Sequence, residues 1–201
     1  MTFVTRARRF VVVAIVAVGL FVSACDARAE PQVNTGLTIG GAAAGVDGGF
    51  FDQAEFVLGL RGDVMFARDD PWDFGVGPYL ELGTFAFDEL QFGGGASVHL
   101  PIHETFPFVA SVGPYARYGD DDFGLEPGIA TALFWGSRSY NFHDNYIMAV
   151  GLSVGYRASF GESKESALLV TAHVDIALLG LPFVALVGAI AGPTEEAARI
   201  E

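Results

Sequence analysis

Hydrophobic and polar residues alternate with a period of two along most of this chain. In residues 54–67, Phe56 and Leu60 share one parity, whereas Arg61 and Asp63 share the other. Successive side chains of a β-strand point to opposite faces, so this pattern predicts a strand between two unlike environments. A helix would place Arg61 and Asp63 on opposite sides and would mix the apolar and polar sets.

The same alternation recurs along the chain and predicts eight strands. The candidate strands cover residues 33–44, 54–67, 72–83, 89–100, 106–117, 123–133, 146–157 and 168–177. Gly, Pro, Asp and Ser fill the gaps between these segments, as is typical of turns. Because no gap has room for a helical crossover between parallel strands, we expect an antiparallel up-and-down meander.

The face opposite the apolar one is unlike the surface of a soluble protein. It is rich in Gly, Ala and Ser, and Lys164 is the only lysine of the chain. A soluble surface carries many more Lys and Glu residues, whereas the lumen of a narrow barrel needs small side chains and a few charges. Aromatic residues lie toward the strand ends, as in the girdles of transmembrane barrels: Trp72, Phe74, Phe92, Phe106, Tyr118, Phe123, Trp135, Tyr146 and Tyr156. We therefore expect an all-β transmembrane barrel whose apolar face meets lipid.

The first residues of the chain have the order of an export signal. Arginines at positions 6, 8 and 9 precede an apolar run from Phe10 to Val22, and this order predicts a secretory signal peptide. Cleavage after Ala29 would make residues 1–29 the signal. A lipoprotein-type site would instead end the signal at residue 24 and lipidate Cys25. The sequence leaves both sites open, and both predict export.

At this point the chain resembles the small outer-membrane β-barrels of Gram-negative bacteria. The features that carry the resemblance are the signal segment, the Gly-rich alternating repeats and the acidic turns over residues 30–179. The resemblance is to the eight-stranded class that includes the transmembrane domain of outer membrane protein A. It implies a barrel domain over residues 30–179, a location in the outer membrane, and outer-membrane lipid as a partner.

The segment after the last predicted strand differs from the rest of the chain. Residues 176–191 lack polar side chains and are interrupted by Pro182. We expect a short helix over Pro182–Ala191, within a tail of residues 180–201, because proline suits the first turn of a helix. A ninth strand is the alternative.

Composition excludes several classes of function. The chain has 11 Lys and Arg against 24 Asp and Glu, with a net charge of -13, so it is not a nucleic-acid binder driven by phosphate neutralisation. One cysteine excludes a disulfide framework and paired-cysteine zinc or redox motifs. Much of the acid lies in the predicted connections, at Asp47, Asp52, Asp88, Glu89, Asp120, Asp121, Asp122, Glu162 and Glu165. Their spacing matches no EF-hand, so we expect solvated turns, no metal and no cofactor.

The polar parity collects a candidate network inside the barrel. Its members are Glu55, Arg61, Asp63, Glu81, His99, Arg117, Glu126, Arg157, His173 and Asp175. A lone charge in a barrel interior is costly, so we expect these groups to pair and to fill the lumen. Ser97, Ser111 and Ser153 share this parity, but no nucleophile elbow fixes a serine against His173, and we expect no catalysis.

The sequence thus favours a non-enzymatic outer-membrane barrel with a filled lumen and a structural or surface-interaction role, with a surface or periplasmic protein partner left open. The alternative is a periplasmic lipoprotein tethered through Cys25. Its soluble, lipocalin-like barrel would hold an apolar ligand among its Leu, Phe and Val faces. A small porin and a lipid-modifying barrel hydrolase are weaker alternatives.

Overall fold

The computed structural model describes residues 31–46, 49, 51–119, 124–137 and 149–176. These residues form a closed barrel of antiparallel strands in the order of the chain, with β8 returning to β1. The predicted fold class is confirmed. The strands are β1 (Gln32–Gly45), β2 (Gln53–Met65), β3 (Gly75–Phe85), β4 (Glu89–Leu100), β5 (Phe108–Gly119), β6 (Gly124–Ser137), β7 (Val150–Ser159) and β8 (Ser166–Asp175). The signal segment, the Pro182–Ala191 helix and residues 146–148 of the seventh predicted strand lie outside the described residues.

Closure leaves the sheet without an edge. β1 pairs with β2 from Gln32↔Met65 onward, and with β8 from Gly36↔Asp175 onward. Every strand therefore has two hydrogen-bonded neighbours, which removes the unpaired backbone groups of an open sheet. We name the end of the barrel at Gly45 the loop end, and the end where β1 begins and β8 finishes the terminal end.

The predicted separation of the two faces is confirmed. In β2, Phe56 and Leu60 are exposed on the outside, whereas Arg61 and Asp63 are buried in the lumen. Leu80, on the outer face of β3, is 73% exposed. The apolar side chains at alternate positions of the strands therefore point outward.

Two strands, β3 and β5, begin later in the structure than the sequence pattern predicts. Trp72 and Phe74 precede β3, and Phe106 precedes β5. An Asp-based turn interrupts the first of these segments, because Oδ2 of Asp73 accepts hydrogen bonds from the backbone N–H groups of Asp69 and Asp70, at 3.0 and 2.9 Å. Aspartate side chains that bond nearby backbone groups favour turns over strand pairing. β8 also ends at Asp175, short of the predicted residue 177.

Two apolar clusters lie inside the barrel, one toward each end. The loop-end cluster contains Ala42, Ala44, Val57, Phe85, Ala167 and Leu169. The terminal-end cluster contains Met65, Val109 and Phe134. The polar lumen lies between them. No helix among the described residues has the length and apolar character needed to cross a bilayer.

Candidate functional site

Three arginines of the described strands point into the lumen at successive depths, and each is surrounded by groups from other parts of the barrel. Their side-chain partners place the guanidinium of Arg117 toward the loop end, that of Arg157 near the middle and that of Arg61 toward the terminal end. The interior of a narrow barrel excludes most water, so each guanidinium needs carboxylate or amide partners to offset its loss of hydration. We call this set of groups the lumen network.

The loop-end part of the network centres on Arg117. Its Nη2 lies 3.2 Å from Oε2 of Glu89, and its Nε lies 3.5 Å from Oε2 of Glu126. Its Nη1 makes an ion pair with Glu165. Glu126 also accepts hydrogen bonds from the backbone N–H and the hydroxyl of Ser163, which is 1% exposed. The connection between β7 and β8 therefore folds inward and closes this end of the lumen.

The middle of the network centres on Arg157. Its Nη2 donates to Oε1 of Glu81 at 2.9 Å, and its Nη1 donates to Oε1 of Gln91. The guanidinium also lies 5.5 Å from the ring centroid of Phe85 and 5.4 Å from that of Tyr115. These distances are within the range of cation–π attraction, so aromatic rings and amide groups share the stabilisation of this charge.

The terminal-end part of the network centres on Arg61. Its Nη1 lies 3.8 Å from Oε2 of Glu81 and its Nε lies 3.7 Å from Oδ2 of Asp63. Its Nη2 donates to the hydroxyl of Ser97 at 3.1 Å, and its guanidinium lies 4.1 Å from the ring centroid of Tyr79. Glu81 thus contacts two arginines at once.

Gln91 joins the loop-end cluster to the middle one. Its amide oxygen accepts from Arg157, and its amide nitrogen donates to Glu89, which in turn contacts Arg117. Because Glu81 joins Arg157 to Arg61, polar contacts run from Glu165 at the loop end to Asp63 near the terminal end. A continuous network of this kind fixes each side chain through its neighbours.

The remaining predicted members lie at the two ends of the lumen. His173 is 1% exposed and lies 3.2 Å from Oδ1 of Asn34, with its ring edge-on to Phe134. His99 is also buried at the terminal end, where it is opposite Gly75 in the β3–β4 register.

Asp175 lies opposite Gly36 at the end of β8. Glu55 is half-buried at the loop end and, within the described parts of the chain, makes no ion pair.

A cap closes the terminal end of the lumen. Arg68, in the connection between β2 and β3, is 4% exposed. Its Nη1 donates to Oε1 of Gln32 at 3.2 Å, and Nε2 of Gln32 donates back to the carbonyl of Arg68 at 3.3 Å. Gly75 leaves space for this side chain, because a Cβ at Gly75 would approach Cδ of Arg68 to 2.5 Å. The connection thus folds an arginine back under the barrel.

Several members of the network were missing from the predicted set. The sequence predicts solvated turns at Glu89 and Glu165, but both side chains point inward to Arg117. Their positions in the alternation were the available signal. Glu89 has the same inward parity as Gln91, and Glu165 has the same inward parity as Ala167. Gln91 is neutral, so a pattern of charged residues does not predict its place in the network.

A cavity of about 60 Å³ lies beside Arg61, Glu81, Arg157, Thr171 and His173. A space of this size has room for a few ordered water molecules. The residues that the structure describes contain no group of three or more His, Cys, Asp or Glu side chains placed to hold a metal ion.

Ser97 and Ser111 have partners other than His173 in the part of the chain that the structure describes. Ser97 accepts from Arg61, and the hydroxyl of Ser111 donates to the carbonyl of Ala132 at 3.4 Å. His173 contacts Asn34 instead. A nucleophilic serine needs a base within hydrogen-bond reach, and the contacts of Ser97 and Ser111 supply no such base.

The sequence matches no protein-family model and no curated protein. Among solved structures, the chain is similar to Ail, the attachment invasion locus protein of Yersinia pestis. The complex of Ail with the heparin analogue sucrose octasulfate is 13% identical, with 73% of this chain and 99% of that chain covered and a TM-score of 0.44.

Ail in a phospholipid bilayer nanodisc is 14% identical, with 72% and 99% covered and a TM-score of 0.38. A further crystal structure of Ail is 12% identical, with 72% and 97% covered and the same TM-score. The closed antiparallel topology itself is that of the eight-stranded outer-membrane barrels which the sequence resembles.

Proposed function

We propose that this chain is a non-enzymatic outer-membrane β-barrel whose lumen is filled by its own side chains, with a structural or surface-interaction role. The observation that carries the proposal is the exposed apolar belt. Large hydrophobic side chains on every strand point away from the barrel, among them Ile39, Leu60, Leu80, Phe92, Val112, Leu133, Leu152 and Val170. Water does not favour such a continuous apolar surface, whereas lipid does.

The height of the belt supports a membrane location. On β2 the outward residues extend from Ala54 to Val64. At about 3.3 Å per residue and a strand tilt of about 40°, this stretch rises about 25 Å along the barrel axis. The apolar band of an outer-membrane barrel has this same height, about 25 Å.

Aromatic side chains border the belt at both ends. At the loop end, Phe51, Phe87 and Phe160 are exposed, and Phe87 stacks on Phe56 with their ring centroids 5.6 Å apart. At the terminal end, the rings of Phe106 and Trp135 lie 6.3 Å apart. Aromatic rings favour the boundary between hydrocarbon and water, so the two groups support a belt that spans a bilayer.

The alternative of a soluble, ligand-holding barrel lacks support. It requires the Leu, Phe and Val faces to line an internal cavity, but these side chains are on the outside, and the interior contains Arg, Glu and Gln. A filled, polar lumen has no room for an apolar ligand. The same observation favours a closed barrel over a small porin.

A membrane fractionation experiment tests the proposal, with the full chain expressed in a Gram-negative host. We expect the protein in the outer-membrane fraction, soluble only with detergent. A monomeric barrel that stays in solution without detergent would contradict the membrane location. In planar bilayers we expect no steady conductance, and a stable open level would contradict the filled lumen.

The single lysine gives a test of orientation. Lys164 is exposed in the connection between β7 and β8. If the termini are periplasmic, this connection faces the exterior, and an amine reagent that cannot cross membranes will label intact cells at Lys164. The K164R variant is the matched control and should lose this label. Labelling that appears only after cell lysis would contradict the proposed orientation.

Export and lipidation concern residues outside the described part of the chain and remain proposals. Lipidation at Cys25 predicts incorporation of labelled palmitate that is lost in C25S. Cleavage after Ala29 predicts a mature protein without Cys25 and without label. The mass of the mature protein distinguishes the two sites.

A further inference from the structure

The connection between β7 and β8 lies over the loop end of the lumen and is attached to the barrel at two places. At its base, the backbone N–H of Ser159 donates to the carbonyl of Glu165 at 2.8 Å, and the N–H of Glu165 donates to the Ser159 hydroxyl at 3.0 Å. At its tip, Ser163 donates to the carboxylate of Glu126 on β6. We call residues 160–164 the lid, and the contact between Ser163 and Glu126 the latch.

The latch is a set of polar contacts at a single carboxylate. Oε1 of Glu126 accepts from the backbone N–H of Ser163 at 2.9 Å, and Oε2 accepts from its hydroxyl. Gly161 permits this close approach, because a Cβ at Gly161 would collide with the carboxylate of Glu126. The largest apolar side chain of the lid, that of Phe160, is 68% exposed and adds little burial to the closed position.

Two features of the closed lid oppose closure. The carboxylates of Glu89, Glu126 and Glu165 converge on one guanidinium, that of Arg117. Like charges repel one another, and a single cation does not neutralise three anions. In addition, Lys164 of the lid has a φ of 44°, a left-handed conformation that disfavours residues with a Cβ. The closed position therefore depends on the latch.

We propose that residues 160–164 are a hinged lid that opens when the latch is released. The paired backbones of Ser159 and Glu165 stay together and act as the hinge. Deeper in the lumen, the ion pair of Arg157 with Glu81 joins opposite walls and keeps the barrel closed. Opening therefore creates a shallow polar vestibule at the loop end and does not open a pore. This goes beyond the proposed function, which needs no moving part.

The reactivity of a buried thiol below the lid tests the proposal. Ala167 points into the lumen at the start of β8, two residues after the hinge, and is 2% exposed. In the full chain carrying C25S, the substitution A167C gives the only thiol. Its rate of reaction with a charged, water-soluble thiol reagent is measured on the folded barrel in detergent. The result therefore does not depend on the membrane location.

Two variants release the latch in different ways, and each has a matched control. S163A deletes the latch hydroxyl, and S97A deletes a buried hydroxyl that contacts Arg61 far from the lid. G161A adds a Cβ that displaces the carboxylate of the latch, while every charged group stays in place. G62A adds the same atom on the outer wall, where the nearest atoms lie at 3.8 Å.

We expect the thiol of A167C to react several-fold faster in S163A and G161A, and at the unchanged rate in both controls. A second reporter, V109C, lies in the terminal-end cluster and is 1% exposed as valine, and its rate should not change. Equal A167C rates in the release variants and their controls would overturn the proposal. An equal rise in the rate of V109C would show a general loosening of the barrel, which also overturns it.

Discussion

Arg157 and Glu81 form an ion pair across the whole width of the barrel, with Nη2 of Arg157 2.9 Å from Oε1 of Glu81. β7 and β3 are separated by three strands in both directions around the wall. The contact therefore joins opposite walls and not neighbouring strands. Because Glu81 also contacts Arg61, its carboxylate is the point where the middle and terminal-end parts of the lumen network meet.

Removing this carboxylate should destabilise the barrel strongly. E81A leaves Arg157 and Arg61 in the lumen without their shared acid, and breaking a buried pair in this way costs about 3–5 kcal/mol. We expect a loss of this size in the free energy of unfolding, measured by denaturant titration in lipid vesicles. E104A is the control, because Glu104 is exposed in the connection between β4 and β5. A loss in E81A no larger than that in E104A would show that the ion pair contributes nothing measurable.

The direction of each side chain, into the lumen or out of the barrel, could be predicted from the sequence, because the alternation is a property of each strand by itself. Arg61, Glu81, Arg117 and Arg157 have inward parity, and the structure brings all four into one network. The partners of each arginine could not be predicted in the same way. Arg157 and Glu81 are far apart in sequence, and their contact depends on closure of the barrel and on side-chain lengths across the lumen.

Small residues under the aromatic rings of the lumen should be intolerant of even one methyl group. Gly128 of β6 lies beneath the ring of Tyr115, and a Cβ there would collide with that ring and with the carbonyl of Ala158. Overpacking of this kind costs about 1–3 kcal/mol. We expect G128A to lose stability in this range in the same denaturant titration.

Gly62 provides the matched control for that substitution. It faces outward on β2, and a Cβ at this position would find its nearest atoms at 3.8 Å. We expect G62A to change the free energy of unfolding by less than about 0.5 kcal/mol. Equal effects of G128A and G62A would argue that the Tyr115 ring adjusts freely, and so against a tightly filled lumen.

The turn at Ala67 should respond to substitution in both directions. Ala67 is exposed and has a φ of 62°, a left-handed conformation that disfavours residues with a Cβ and disfavours β-branched residues most. We expect A67G to gain up to about 1 kcal/mol and A67V to lose about 1–3 kcal/mol. Ala96→Val, at an exposed position on β4, controls for the added methyl groups. An A67V variant as stable as A96V would contradict the strain at this turn.

This turn also explains why the terminal-end cap was not predicted. Continuing the parity of β2 would point residue 68 outward, but the left-handed residue before it redirects the chain, and Arg68 enters the lumen to contact Gln32. A reversal of this kind is visible only in the backbone. Glycine or asparagine would have signalled a left-handed residue in the sequence, whereas alanine gives no such signal.

The two tryptophans should report the depth of the barrel in a bilayer. Trp72 is 56% exposed and Trp135 is 51% exposed, both toward the terminal end, and the chain has no other tryptophan. Because indole rings favour the membrane interface, we expect strong fluorescence quenching by lipids brominated near the headgroup and weaker quenching by lipids brominated near the chain end. Acrylamide in the aqueous phase should quench the emission of Trp135 little and that of Trp72 more. W135F should remove most of the lipid-dependent signal, since Trp135 lies on the wall of β6 and Trp72 in a connection. Strong acrylamide quenching with no effect of brominated lipid would place this end of the belt in water.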